Sequence, residues 1–194
     1  MLRLKVAGIS SLTDARYCAG MGVEFLSLVF DSEGNCSMSA EAFAGIRPWI
    51  EGVKWIGEYS GSDAALLANL ASAYEMDTWI SSYDWKEGEW PASLKLIRDQ
   101  KFSGIKPGTS VSGIQIDFTG IPDEILLDEL ASLAEKEQEI MVGNLLPLET
   151  AVTVFRRFPN FIFSLRSSEE ERPGWMDLGD LQDYLEALEE AIEI

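Results

Sequence analysis

The chain of 194 residues contains no histidine and only two cysteines. The absence of histidine excludes imidazole acid–base chemistry and the usual zinc patterns. Cys18 and Cys36 show no Cys-x-x-Cys spacing, and Cys36 falls in a predicted loop. Catalysis would therefore depend on carboxylate, thiol, lysine, tyrosine or backbone groups. We expect neither a metal site nor a cofactor.

Positive charge is also scarce, because 15 lysine and arginine residues face 33 aspartate and glutamate residues, for a formal charge of −18. Such a surface repels polyanions and offers no basic stripe for phosphate backbones. Nucleic-acid binding is therefore not expected. The acidic runs, such as residues 169–171, are interpreted as solvated faces and loops.

Long apolar runs are missing as well, since no stretch of about 18 apolar residues occurs. The first residues lead into a strand pattern instead of a signal-peptide core, so we expect neither a membrane span nor secretion, and a cytoplasmic location. What the chain does have is 46% hydrophobic residues. That content suffices for one compact core, and the length predicts a single domain over residues 1–194.

Short apolar, β-rich runs alternate with helical patterns along the chain. Eight runs predict strands, at residues 2–6, 25–30, 53–57, 78–80, 94–97, 113–117, 139–142 and 161–165. Eight strands with helices between most of them favour a (β/α)8 TIM barrel. A doubly wound open sheet is the alternative.

Apolar spacings of three and four predict six helices, at residues 13–21, 41–49, 63–74, 123–137, 147–158 and 178–192. Ser39 and Ser62 are candidate N-caps, and Pro122 and Pro147 suit a first helical turn. Four aromatic side chains are interpreted as packing residues between helices and strands: Trp49, Trp55, Trp79 and Phe155.

Two connections lack a helical pattern, namely residues 81–93 and 98–112. We therefore expect reduced helices after strands 4 and 5. Because helices normally cover the outer face of a parallel sheet, apolar strand surface would be exposed there. Trp85, Trp90 and Phe102, or a partner chain, would have to cover it.

Several segments carry a resemblance to a known family. The strand end Lys5-Val6-Ala7-Gly8-Ile9-Ser10 precedes a helix with Asp14-Ala15 in its first turn, and Gly22 leads into the second strand. This pattern resembles the opening of phosphoribosylanthranilate isomerases, which have Lys-Ile-Cys-Gly followed by a similar helix and strand. The resemblance covers nearly the whole chain and is weak from about residue 81 to 112.

The resemblance implies an Amadori rearrangement in tryptophan biosynthesis, an intramolecular oxidoreductase reaction that needs a general base and a general acid. Asp117 matches the family's general acid, whereas Ala7 occupies the position of its cysteine base. Loss of one positioned base typically costs about 10²- to 10⁴-fold in rate. Lys5 points to the same side as Ala7 and is a candidate substitute base.

The alternative interpretation of Lys5 is that it pairs inside the barrel with a carboxylate such as Asp117 or Glu58. Cys36 is a second candidate base, because it aligns near an arginine of the family. A loop cysteine is more often incidental, and no histidine is available to activate its sulfur.

The resemblance also implies a phosphate site built from backbone amides. Gly143 and Asn144 match the family's Gly-Gly turn after the seventh strand, and Ser167 and Ser168 follow the eighth. Arg166 is a candidate ligand-binding residue that offsets the nearby glutamates.

Other family features are changed. Ser82 and Tyr83 replace a His-Gly pair after the fourth strand, and the glycine-rich loop after the sixth strand is absent. Three functions therefore stay open: a slow isomerase, a barrel that binds another small phosphorylated sugar derivative, and a non-catalytic interaction protein. A monomer or a homodimer is expected in each case.

Overall fold

In a computed structural model, the eight strands form a closed parallel barrel in chain order. The structure describes residues 2–101, 112–117, 124–134, 139–143, 146–166 and 179–193. The strands are β1 (Arg3–Ala7), β2 (Phe25–Phe30), β3 (Lys54–Tyr59), β4 (Thr78–Ser81), β5 (Lys95–Lys101), β6 (Gly113–Asp117), β7 (Glu139–Val142) and β8 (Ile162–Arg166). Because β1 pairs with β8, with Arg3 opposite Ile162, the sheet closes. The predicted TIM barrel is confirmed, and the open sheet is excluded.

All six predicted helices are confirmed. They are α1 (Leu12–Gly20), α2 (Ala40–Ile46), α3 (Ala64–Ala73), α4 (Glu124–Ala134), α5 (Leu148–Arg157) and α6 (Gly179–Glu193), and a 3-10 turn (Arg47–Trp49) extends α2. The hydroxyl of Ser39 accepts from the amide of Ala42, so this predicted cap is confirmed. Pro147 directly precedes α5, and Pro122 lies outside the described residues.

The predicted cap at Ser62 is wrong, because the neighbouring Asp63 caps α3. Its Oδ1 accepts from the amides of Ala65 and Leu66, at 2.9 and 3.0 Å. A carboxylate has two advantages over a hydroxyl at this position. It accepts hydrogen bonds from two backbone amides that have no partner within the helix, and its charge complements the positive end of the helix dipole.

Side chains alternate between two apolar cores, as the period of two in a strand requires. A small cluster fills the interior of the barrel: Phe25, Ile56, Ile80, Ile97, Met141 and Ile162. The intervening strand residues, such as Leu26 and Ile116, face the helices in a larger outer core. One close approach requires a glycine, because a Cβ on Gly57 would lie 2.3 Å from the ring of Trp79 on β4.

The barrel wall after β4 is covered by aromatic side chains instead of a helix. Residues 82–94 are all described and contain turns but no helix. Trp85 is buried, donates its indole N–H to Ser81 Oγ at 2.9 Å, and meets the Trp90 ring edge-on at 5.4 Å. Trp85 and Trp90, two of the covers that the sequence offered, therefore pack against the outer core here. Phe102 and the rest of the connection after β5 lie outside the described residues.

Trp49, in the 3-10 turn after α2, is 66% exposed, so its predicted role in internal packing is wrong.

Over the described ranges, no helix combines the length and the apolar character that crossing a bilayer would require.

Candidate functional site

The carboxyl ends of the strands surround a cavity of about 160 Å³, here called the mouth. Strand ends of this kind carry the active sites of (β/α)8 barrels. Glu58, Asp99, Gln115 and Arg166 bring polar groups to the mouth from four different strands, and Ser82 lines it from the loop after β4. The mouth therefore brings polar side chains from several strands together in one small cavity.

Lys5 lies directly beneath the mouth with its side chain fully buried. Its Nζ is 2.6 Å from Glu58 Oε1 and donates to Gln115 Oε1 at 2.9 Å and to Ser164 Oγ at 3.1 Å. Lys5 on β1 thus contacts side chains of three other strands, β3, β6 and β8. The structure therefore supports the interpretation of Lys5 as an ion-pairing residue, with Glu58 as its carboxylate partner.

The Glu58 carboxylate is held in its ionised form by this arrangement. Burial alone would raise the pKa of Glu58, but the Lys5 ammonium, the Ser27 hydroxyl and the charge of Arg166 together outweigh burial and lower the pKa. Ser27 Oγ donates to the same carboxylate. Glu58 is therefore an ionised hydrogen-bond acceptor at the mouth.

The lowered pKa of Glu58 predicts how stability depends on pH. Because the unfolded carboxyl has the higher pKa, near its ordinary 4.5, the unfolded chain takes up the proton first as pH falls. The stabilisation is therefore complete above that value and is lost as pH drops through the folded-state pKa. Urea unfolding from pH 7 to pH 3 should show a steeper loss in the unmodified protein than in Glu58→Gln.

The comparison isolates Glu58, because the two proteins share every other carboxyl group. Glu24 and Asp77, whose pKa values are also lowered by hydrogen bonds to basic side chains or a hydroxyl, contribute equally to both profiles. Parallel profiles for the two proteins would contradict the assignment.

Ala7, at the position predicted for the lost base, is buried at the end of β1. Its neighbours in register are Ser27 on β2 and Arg166 on β8. The residue therefore lies on the inner wall, level with the mouth. A methyl group there cannot accept a proton from a bound ligand.

Arg166 and Gly143 are the two described members of the predicted ligand and phosphate set. Arg166 ends β8, is exposed and lines the mouth. Gly143 has φ +81°, donates its amide to Ile116 O at 2.8 Å, and would place a Cβ 2.6 Å from the Leu146 side chain. Only glycine fits this left-handed, crowded turn before α5.

Most of the remaining predicted site residues lie partly or wholly outside the described residues. The backbone of Asp117 ends β6 opposite Lys101, and its side chain lies outside the described residues. Asn144, Ser167 and Ser168 also lie outside them. Cys36 is half-buried in the loop after β2, and burial raises the pKa of its thiol, which disfavours a role as base.

The sequence left Asp99 and Gln115 unassigned and considered Glu58 only as a partner of Lys5. Gln115 Nε2 donates to Asp99 Oδ1 at 3.3 Å, so a hydrogen-bonded chain runs from Asp99 through Gln115 and Lys5 to Glu58. Polar residues at inward positions near the ends of β3, β5, β6 and β8 were the available signal. In the described part of the chain, no three cysteine, aspartate or glutamate residues gather as metal ligands would.

Comparison with known proteins bears on the fold. No protein-family model and no curated protein sequence matches the chain. Phosphoribosylanthranilate isomerase from Thermus thermophilus superposes with a TM-score of 0.74 at 17% identity, over 99% of this chain and 98% of that one. The chain has the fold of phosphoribosylanthranilate isomerase.

Two further structures extend the likeness. A phosphoribosylanthranilate isomerase in complex with reduced 1-(o-carboxyphenylamino)-1-deoxyribulose 5-phosphate gives a TM-score of 0.70 at 15% identity, over 98% of this chain and 100% of that one. KGPDC from Streptococcus mutans gives a TM-score of 0.60 at 14% identity, over 99% of this chain and 97% of that one. Identities this low establish a shared fold and no more. Function has to be argued from the residues of the site.

Proposed function

We propose that this barrel binds a small phosphorylated sugar derivative at its mouth and performs the isomerase's Amadori rearrangement slowly or not at all. The single observation that carries the proposal is the alanine at the end of β1, beside a mouth to which four other strands bring polar side chains. Ala7 lies level with Arg166 and next to Ser27. The pocket therefore keeps groups for binding and lacks one for taking a proton.

The rearrangement moves a proton from the sugar C2, so it needs a base on one side of the substrate and an acid on the other. Asp117 is our candidate acid. Lys5 is a poor replacement for the base, because its ammonium already has three acceptors in Glu58, Gln115 and Ser164. A base must offer a lone pair, and this arrangement uses every N–H bond of a protonated amine.

We assign phosphate binding to the segments that follow β7 and β8 in the chain. The amides of Asn144, Ser167 and Ser168 are the proposed donors, because turns and helix starts bind anions through unpaired N–H groups. The predicted contribution of the Gly143 amide is dropped, because that amide already donates to Ile116 O. Arg166 adds a guanidinium, which suits phosphate geometry. Support also comes from the structural neighbour that is in complex with a reduced deoxyribulose 5-phosphate derivative.

A thermal-shift screen with ribose 5-phosphate tests the proposal. At a ligand concentration of 100 Kd, one-site binding stabilises the folded state by about 2.7 kcal/mol, which corresponds to about 5 to 11 °C in Tm for a chain of this size. Ribose and inorganic phosphate, which each supply half of the ligand, should give smaller shifts. We expect Arg166→Gln to remove most of the shift.

Arg156→Gln is the matched control, because Arg156 is an exposed arginine on the outer helix α5. That variant should keep the full shift. If no phosphorylated sugar raised the melting temperature, the ligand pocket would be rejected in favour of a non-catalytic interaction protein.

A further inference from the structure

The charged side chains described at the mouth stand on opposite walls of the barrel. Glu58 on β3 and Asp99 on β5 line the mouth on either side of β4, and Ser82 lines it from the loop after β4. Arg166 lines it from β8. In a closed barrel of eight strands in chain order, β4 and β8 lie opposite one another. One wall, formed by Glu58, Ser82 and Asp99 and here called the acidic wall, therefore faces a guanidinium across the cavity.

The acidic wall presents hydrogen-bond acceptors to a ligand. Glu58 is held in its ionised form, and an ionised carboxylate has no proton to donate. Asp99 also acts as an acceptor, since its Oδ1 accepts from Gln115 Nε2 at 3.3 Å. A ligand group that binds the two carboxylates must therefore bring its own donors.

The buried Lys5 does not supply those donors. Its Nζ contacts Glu58, Gln115 and Ser164, and these three contacts account for all three N–H bonds of the ammonium. The side chain is also fully buried beneath the mouth. Lys5 therefore stabilises the Glu58 carboxylate without offering a hydrogen bond to a bound molecule.

We propose that the ligand carries a protonated amino group at the end opposite its phosphate, and that Glu58 and Asp99 select for this group. The inference rests on the proposed function, which places the phosphate at the segments after β7 and β8. An ammonium brings three donors and a positive charge, whereas a carboxylate at that end would face two carboxylates at close range. A hydroxyl group, which donates without a charge, falls between the two. The substrate class is thus an amino sugar phosphate.

Isothermal titration calorimetry with three matched ligands tests this selectivity. The ligands are ribose 5-phosphate, its 2-amino-2-deoxy analogue and ribonate 5-phosphate. They differ in having a hydroxyl, an ammonium or a carboxylate at the end opposite the phosphate. At about pH 6.5, where such an amine is protonated, we expect the amine to bind about tenfold more tightly than ribose 5-phosphate. The carboxylate should bind about tenfold more weakly.

Asp99→Asn removes one of the two charges and keeps the shape of the side chain, and its amide oxygen can still accept from Gln115. The preference of this variant for the amine should fall to about threefold or less, with little change in its affinity for ribose 5-phosphate. Asp77→Asn is the matched control. It removes the same charge from an exposed aspartate directly before β4, at the opposite end of the barrel, and should keep the full preference.

Two results would overturn the inference and leave the proposed function standing. One is equal affinity for all three ligands, and the other is a preference for the amine that Asp99→Asn does not reduce. Failure of all three ligands to bind is a different result, because it would reject the proposed ligand pocket itself and this inference with it.

Discussion

Purified protein is expected to convert phosphoribosylanthranilate about 10²- to 10⁴-fold more slowly than an isomerase that has its general base. The reason is Ala7, whose buried methyl group lies on the inner barrel wall, opposite Arg166 in register, where the resemblance places the base. A steady-state turnover assay with the purified chain measures the effect. The other changes, at Ser82 and Tyr83 among them, add to the loss.

Ala7→Cys is the informative variant for this prediction. A thiol at position 7 would restore a titratable group beside Ser27 and Arg166, and we expect turnover to rise at least tenfold. Ala7→Ser is the matched control, because its hydroxyl has similar size and far weaker basicity. Robust turnover by the unmodified protein, abolished by Asp117→Asn, would refute the proposed loss of the base.

Glu58→Leu is expected to destabilise the barrel by about 3 to 5 kcal/mol, because it leaves the Lys5 ammonium buried without its anion. Lys5 is fully buried, so its ammonium depends on the surrounding side chains for a counter-charge. Urea unfolding at pH 7 measures the change as a lower midpoint. The double variant Lys5→Met/Glu58→Leu removes both charges and should recover most of the stability.

The exposed pair of Lys95 and Asp77 provides the control. Both side chains are more than half exposed, at 61% and 68%, so Asp77→Leu should cost no more than about 1 kcal/mol. If Glu58→Leu were as mild as Asp77→Leu, or if the double variant were no better than the single one, the buried pair would not have the role assigned to it.

The barrel could be predicted from the sequence because its pattern is local. Each strand is a short β-rich run, and each helix repeats apolar residues at three and four positions, so periodicity alone separates them. The absence of a helix after β4 was predictable for the same reason. Closure of the barrel, in contrast, depends on the pairing of β1 with β8, which are far apart in the chain. In the sequence, only the count of eight strands indicated closure.

The sequence identified candidate site residues only where a single position is informative by itself. Ala7 and Gly143 can be located from their positions at strand ends, whereas the sequence offered Asp117 and Glu58 as partners of Lys5 without choosing between them. Lys5 and Glu58 lie on strands that are not neighbours, and the pair forms because both side chains point into the barrel. Asp99 was missed because β5 continues to Lys101, beyond the apolar run that marks its start.

The most direct test of binding without a general base is a crystal structure of the protein soaked with ribose 5-phosphate. We predict ordered phosphate density against the amides of Asn144 and Ser167, within reach of Arg166, and sugar hydroxyls facing Glu58. An empty mouth at saturating ligand, or a ligand bound only at another place, would contradict the proposed function.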